Sequence, residues 1–560
     1  MPRKPSAATF FKRAEKLASQ KFGFDQLSQG QRDALCALIG GHDTLAILPT
    51  GGGKSAIYQL MGLVRGGLTI IVSPLVALQR DQVDHLRALD AQAYLLNSSL
   101  SPNEKDDVWH SLESAKTAFL LLAPEQFSNQ ETLERLQKLE PNLFVVDEAH
   151  CISSWGHDFR PDFARLGAVI EALGRPQVLA LTATAAPPVR SDILRRLRIE
   201  SAEVVVAGFD RPNLRLEVRH FEQCEAKTGA LLKAVVEGQQ PAIVYCATRN
   251  ETEKIADELN KRGQNALAYH AGFSKKERDE RQSAFMNDEA SIFVATVAFG
   301  MGVDKPNVRR VYHLDVSESL DSYFQEAGRG GRDGEPAEAI LFFCEGDLGL
   351  RRFQMGSGDA SIKTATHLAA ALDDMDATRL EDVEEQLDLN RPTLRRSLSQ
   401  LEEAGALSMN AQGEIQMREH LDLRTLKREL HRVDEQAHDW DKSRLEMMRQ
   451  YAQTHDCRRQ LLLSYFGEEM PHPCGHCDNC QNNESALAAK ATPAKPKKAA
   501  KKPTGPFSVG AHVHHKTWGD GEIMREDADS LTVVFDSVGY KTLLRELVIQ
   551  NNLLAPLAAK

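Results

Sequence analysis

Nowhere in these 560 residues do about 18 apolar residues run together, which excludes a membrane-spanning helix of ordinary length. The opening stretch MPRKPSAATFFKRAEK lacks the apolar centre and small-residue cleavage site of a secretory signal, so the expected location is the cytoplasm. Positive charge is not in excess either. With 68 Lys and Arg against 79 Asp and Glu, the net charge is −11 and the pI is near 5.9. That balance argues against a protein that coats nucleic acid indiscriminately, while leaving room for local basic grooves. Cysteine is sparse and uneven. Cys36, Cys151, Cys224, Cys246 and Cys344 stand singly in apolar settings and are expected to be reduced and buried, whereas Cys457, Cys474, Cys477 and Cys480 cluster. What is plentiful is core material: 42% hydrophobic residues, in a chain long enough for roughly three to four domains.

Between about residues 40 and 205, short apolar runs (DTLAIL, LTIIVSP, AFLLLAP, NLFVVDEAH, VLALTAT) alternate with amphipathic helical patterns. Fully apolar strands separated by helices predict a parallel sheet covered on both faces. The rhythm repeats in AIVYCATR, ALAYHAG, SIFVATVAFG, RRVYHLD and EAILFF up to about residue 345, so two α/β domains stand in tandem, 1–205 and 206–348. Residues 349–420 then offer two helices and a hairpin, SMNAQGEIQM, the layout of a winged helix or of a solvated bundle. Residues 421–466 read as long helices leading into the cysteine cluster, the two together making a helical, zinc-binding segment over 421–483. The Lys, Ala and Pro tract at 484–506 has almost nothing to bury and is expected to be an unfolded linker, a solubilising tether or an electrostatic hold on DNA. Residues 507–560 alternate apolar and polar residues between Gly and Asp turns, which predicts a small β-barrel.

The stretch ILPTGGGKSAIYQL almost satisfies the phosphate-loop pattern, except that its opening glycine falls at Leu48. Gly51, Gly52 and Gly53 permit close backbone approach, Lys54 can reach the β and γ oxygens of a nucleotide, and the Ser55 hydroxyl can ligate Mg²⁺. A mere glycine-rich turn is the alternative. The pair at the end of LFVVDEAH favours the nucleotide: a buried strand places Asp147 at the carboxyl edge of the sheet, where ligands of α/β folds collect. Asp147 is assigned to Mg²⁺, and Glu148 to orienting and deprotonating the attacking water; a helix N-cap accounts for Asp147 alone but poorly for the pair. In QEAGRGGRDG, Arg329 and Arg332 lie on a Gly-rich turn and either can act as an arginine finger, or both can belong to an exposed basic turn. Cys474, Cys477 and Cys480, with Cys457 upstream, can close a tetrahedral Zn²⁺ site; an iron–sulfur cluster is the rival.

The ordered set FGFDQLSQGQRDAL, LPTGGGKS, VSPLVALQRDQ, DEAHCISSWGHDFRPDF, LTATA, YHAG, VATVAFGMGVDKPNVR and SYFQEAGRGGRDG resembles a superfamily 2 helicase of RecQ type, a likeness continued at DCRRQLLLSYFGE and CGHCDNC. In that superfamily the first phosphate-loop glycine is commonly absent. The resemblance implies two RecA-like domains, ATP, Mg²⁺ and Zn²⁺ as cofactors, and DNA as partner. It gives Gln31 to adenine with Phe24 against the ring, and makes His150 a link between motif sets. Thr182 and Thr184 match the motif connecting the lobes. Trp155, His157, Phe159 and Arg160 match the family's DNA-coupling aromatic loop; stacking on bases suits such rings, although a lone Trp also serves as core. Ser28 stands where an arginine is common, which bears on nucleotide selectivity, and Gly330 where alanine is usual. The implied activity is 3′ to 5′ translocation and duplex unwinding in DNA repair and recombination, with the protein associated with the nucleoid.

The winged-helix candidate precedes the cysteine cluster rather than following it, as RecQ-type enzymes usually have it. It is expected to grip or split the duplex, with Arg395 and Arg396 toward the backbone. The C-terminal segment resembles the Tudor-like module of UvrD and PcrA helicases, which implies docking on RNA polymerase or repair partners. A rival reading is an ATP-regulated adaptor that recruits such partners without processive unwinding; an RNA helicase is another.

Overall fold

The computed structural model describes residues 7–24, 26–49, 51–74, 76–97, 100–153, 160–300, 305–354, 359–373, 378–379, 383, 391–418, 422–482, 507–527 and 529–557. Chain contacts gather these into two compact units, Met1–Gly208 with Ser357–Ala437, and Phe209–Gly356 with His438–Lys560. Among the described residues no helix is long and apolar enough to cross a membrane.

The first unit is built on seven strands: β1 Thr44–Ile47, β2 Gly67–Val72, β3 Ala93–Leu96, β4 Thr117–Leu122, β5 Leu143–Val146, β6 Gln177–Thr182 and β7 Glu203–Val206. Their order is β3-β4-β2-β5-β6-β1-β7, and every pairing is parallel. The apolar runs are apolar throughout because helices cover both faces; β1 and β5 are buried at every position. Parallel register sets Ile47 beside Thr182 and Val146 beside Ala180, so the segments after β1, β5 and β6 leave the sheet on one edge. Over this sheet lie α1 Ala7–Phe22, α2 Gln29–Ile39 and α3 Lys54–Arg65. Residues 359–418 also belong to this unit. Helices Asp359–Asp373 and Arg391–Glu403 pack with three short strands, β14 Thr378–Arg379, β15 Leu407–Met409 and β16 Glu414–Met417, around Ala365, Leu368, Leu394, Leu398, Leu401 and Ile415. β15 and β16 form the expected antiparallel hairpin.

The second unit repeats the parallel theme with β8 Leu214–Phe221, β9 Ala242–Tyr245, β10 Ala266–Tyr269, β11 Ile292–Ala295, β12 Arg310–His313 and β13 Ala337–Cys344, in the order β10-β11-β9-β12-β13-β8. β8 is an edge strand, and the cysteine segment occupies its outward groups. Arg459 Nη2 donates to the Leu214 carbonyl at 2.6 Å, and Val218 N donates to Asp478 Oδ2 at 3.0 Å. The C-terminal residues form a five-stranded antiparallel sheet: β17 His512–His515, β18 Gly519–Glu526, β19 Ser530–Phe535, β20 Gly539–Leu544 and β21 Leu554–Pro556, in the order β20-β19-β18-β17-β21. Among the described residues no ladder joins β20 to β21, so these strands form one continuous antiparallel sheet with β20 and β21 at its ends. It sits on the helices flanking the cysteine cluster through Tyr540. That ring stacks on Tyr465 at 4.6 Å, its hydroxyl donates to the Tyr465 carbonyl, and its N–H donates to Ser443 Oγ.

Two cysteine expectations are corrected. Cys224 and Cys344 form a disulfide, their Cα atoms 5.5 Å apart. The β8–β13 register sets Cys344 beside Phe221, three residues before Cys224, a proximity that a 120-residue separation conceals. Cys36 is exposed, because the buried stripe of α2 runs through Gln31, Ala34, Leu35 and Leu38.

Candidate ATP site and cysteine centre

The phosphate loop begins where β1 ends. Leu48 is 1% exposed and its N–H still pairs with the Thr182 carbonyl at 3.1 Å. The position that should have carried a glycine is therefore an extension of the strand, filled by a core side chain, and the turn starts only at Pro49. Gly53 is the N-cap of α3 in the left-handed region, φ +70°, which favours glycine. Gln31 braces the loop from behind: its Nε2 donates to the Gly52 and Gly53 carbonyls at 3.3 and 3.2 Å. Gln31 is itself held in a capping box with Ser28, so the serine at the family's arginine position has a structural task at the start of α2. Phe24, half-buried, stacks on Phe22 with centroids 6.0 Å apart.

The acids follow β5 on the same edge. Asp147 N donates to the Val72 carbonyl at 2.8 Å, and the residue is almost wholly buried. Burial first, and the charge of Glu148 second, push its carboxyl up to about 7 against the pull of Lys54. A buried carboxylate short of positive charge beside a phosphate loop is a fitting place for a divalent cation. Glu148 takes the left-handed conformation, φ +50°, which a side-chain-bearing residue holds only when its neighbours over-determine it. Its Oε2 lies 3.4 Å from His150 Nδ1, and the same nitrogen is 2.9 Å from Thr182 Oγ1, which donates to the Thr184 carbonyl. A buried chain thus joins the segments after β5 and β6. Tyr58 and Gln82, which the sequence did not single out, pack beside it with a 3.0 Å hydrogen bond.

In the second unit Arg329 follows the helix Leu320–Ala327. It is buried, bonded to the Gly300 carbonyl and 5.8 Å from the Phe299 ring, so an exposed turn does not describe it; Arg332 is half-buried. In the same unit the sulfurs of Cys457, Cys474, Cys477 and Cys480 lie within 4.8 Å of one another. Cys457 caps the helix Arg458–Tyr465, and the N–H groups of Cys474, Cys477 and Cys480 donate to the sulfurs of Cys457, Cys474 and Cys477. Hydrogen bonds from the Cys457 and Cys474 thiols hold Cys477 well below its ordinary value. Four converging sulfurs with N–H support form a closed tetrahedral donor set, with no place for water.

Three families match along the chain: DEAD/DEAH box helicase over residues 28–192, helicase conserved C-terminal domain over 226–334, and RecQ zinc-binding over 420–481. The chain is 37% identical over 470 residues to a Bacillus subtilis protein named "Probable ATP-dependent DNA helicase RecS", covering 82% of this chain and 90% of that one. The chain belongs to the RecQ helicases. It is also 35% identical over 459 residues to the ATP-dependent DNA helicase RecQ of Pasteurella multocida, spanning 81% of this chain and 60% of that protein. A DNA-bound crystal structure of the DUF1998 helicase MrfA shares the fold at 17% identity, with a TM-score of 0.50, over 75% of this chain and 60% of that one.

As in other RecQ helicases, the cysteine centre is a zinc site and not an iron–sulfur cluster. Among the DNA-contact expectations for this RecQ chain, Trp155, His157 and Phe159 lie outside the described residues. Arg160 is described: its N–H closes on the Cys151 carbonyl at 2.8 Å and its guanidinium donates to the Pro74 carbonyl at 2.9 Å. Arg396 is exposed, but Arg395 turns inward to Asp162. For Arg395 this ion pair stands beside the expected place toward a DNA backbone. Its acidic partner lies 233 residues away in sequence, beyond the reach of any local pattern.

Proposed function

We propose that this protein hydrolyses ATP to move 3′ to 5′ along one DNA strand, unwinding duplexes at the nucleoid during repair and recombination. The observation that carries this reading is the convergence of the Lys54 loop, the Asp147–Glu148 pair and the His150–Thr182 link on one sheet edge. Lys54 and the amides of Gly51, Gly52 and Gly53 hold the triphosphate, while Phe24 and Gln31 take the adenine. Ser55 and Asp147 hold Mg²⁺, which when bound neutralises charge on the phosphates. Glu148 orients the attacking water and accepts its proton, with His150 fixing the carboxylate from behind. Arg329 and Arg332 supply positive charge to the γ-phosphate. Trp155, His157, Phe159 and Arg160 sense the strand through stacking and phosphate contact, which makes binding largely independent of sequence and weaker in salt.

A strand-displacement assay on forked DNA with either 3′ or 5′ single-stranded arms tests this. Unwinding should require ATP and a 3′ arm and should vanish in Glu148→Gln, which keeps the carboxylate's shape. ATP-independent separation, or a preference for the 5′ arm, would overturn the reading.

A further inference from the structure

We propose that the helix Arg391–Glu403 and the β15–β16 hairpin act as a brace that positions the acid-pair segment for ATP hydrolysis, with Arg395 and Glu403 as its positioning residues. This rests on the reading above that Glu148 orients the attacking water. Immediately after Glu148 comes a short helical turn, Ala149–Ile152, and then Ser153. Ser153 Oγ donates to Asp192 Oδ2 at 2.8 Å, and both residues are buried. Asp192 lies on the helix Pro187–Leu197, where Arg196 Nε reaches both of its oxygens at 3.1 Å. Arg196 then extends Nη2 to Glu403 Oε1 at 2.6 Å. A continuous line of charge-assisted bonds therefore runs from the last turn of the helix Arg391–Glu403 to the residue that ends the Glu148 turn.

A second line meets the same segment from its far side. Arg160 N closes on the Cys151 carbonyl, the helix Pro161–Ala164 follows, and its Asp162 accepts from Arg395 on the first turns of Arg391–Glu403. Behind it, Arg165 donates to Ser128 Oγ at 2.7 Å. The tip of the β15–β16 hairpin lies close against that guanidinium: a Cβ on Gly413 would come within 2.7 Å of Arg165 Nη1. The docked face of the helix thus meets Asp162 at one end and Arg196 at the other, and its charges are matched by charges of the first sheet domain.

The consequence concerns Glu148. Its left-handed backbone is held on one side by Asp147 N bonding to β2, and on the other by whatever fixes residues 149–153. Asp192 is one anchor there, beside the His150–Thr182 bond, and it is oriented by Arg195 and by Arg196, which Glu403 holds in turn. Loosening the brace lets the Glu148 carboxylate wander from the water it must orient. Substrate binding at the Lys54 loop has its own supports in Gln31 and β1 and is left alone.

The test uses the full-length protein with saturating single-stranded DNA. Arg395→Ala and Glu403→Ala should each lower kcat for ATP hydrolysis by roughly 2- to 30-fold, the range that coupling through intervening side chains produces. KM for ATP and Kd for the strand should stay within about twofold of the native values, since Arg395 and Glu403 are spent on Asp162 and Arg196. Combining Asp162→Arg with Arg395→Asp should return most of the lost kcat, which a general loss of packing would not allow. Should an alanine variant melt early, Arg395→Lys and Glu403→Gln, which keep the volume, are read in the same assay. Unchanged kcat in all of these overturns the brace. So does a raised Kd for DNA at normal kcat, which would make the insertion a DNA grip. Native protein that does not hydrolyse ATP at all would instead sink the helicase reading.

Discussion

Gly53→Ala measures how closely the phosphate loop is specified. The residue sits at φ +70°, and a new Cβ would fall 2.3 Å from Gln31 Nε2. The left-handed conformation costs an alanine about 1–2 kcal/mol. The overlap expels the Gln31 amide, which loses its bonds to the Gly52 and Gly53 carbonyls, each contributing about 0.5–1.5 kcal/mol net. The total is about 2–5 kcal/mol. In the free variant the loop relaxes, and nucleotide must rebuild the cradle, so the cost falls on affinity as a loss of about 30-fold to several thousand-fold. Calorimetric titration with a non-hydrolysable ATP analogue reads this, with thermal unfolding to verify that the core is intact. Gln31→Ala supplies the decisive comparison. If the clash has already displaced Gln31, adding Gln31→Ala to Gly53→Ala should cost little more, leaving a coupling energy of about 1–3 kcal/mol. Binding within threefold of native, or two penalties that simply add, would refute the reasoning.

Three further outcomes follow from the geometry. Metal analysis should return one zinc per chain, lost with cooperative destabilisation in Cys474→Ser; iron with visible absorbance would contradict the site as described. Because burial and Glu148 hold the Asp147 carboxyl up to about 7, Mg²⁺ must displace a proton below that pH, so apparent Mg²⁺ affinity should rise about tenfold from pH 6 to pH 8. A flat Mg²⁺ titration across that window would count against the assigned ligand. Tyr540→Ala removes a buried ring and the hydroxyl's hydrogen bond to the Tyr465 carbonyl at the seat of the C-terminal sheet, a loss of about 3–5 kcal/mol of the kind large core truncations show. Trp440, which packs 6.2 Å from that ring, should shift its emission to the red while ATP hydrolysis persists; unchanged emission would deny the docking.

The apolar strands were legible because helices on both faces leave no position for a polar residue, and β5 running into Asp147 and Glu148 puts that pair on the sheet edge where the Lys54 loop begins. The zinc donors were legible because three of the four lie within seven residues on one turn. Leu48 was read as a departure, yet its place in the core is why a glycine there is unnecessary. The Arg395–Asp162 pair was not legible for a different reason: an arginine on an amphipathic helix looks the same whether it faces phosphate or a carboxylate contributed from another part of the chain. The Cys224–Cys344 pair likewise depends on the β8–β13 register, a long-range fact. The C-terminal strands were readable one by one from alternation, but alternation says nothing about which strands pair, such as β17 with β21.

The bonds from Arg459 and Asp478 to β8 give the zinc site a duty away from the motor. Both residues are placed by the helix and turn that the four cysteines pin together, and both occupy backbone groups that a terminal strand otherwise offers to any passing chain. Stripping the metal therefore does more than soften a small module: it unmasks a template for strand addition on the largest ladder of the second sheet. Chelated protein should self-associate through that rim before its parallel core melts, which makes the cation a guard of solubility as much as a staple of the fold.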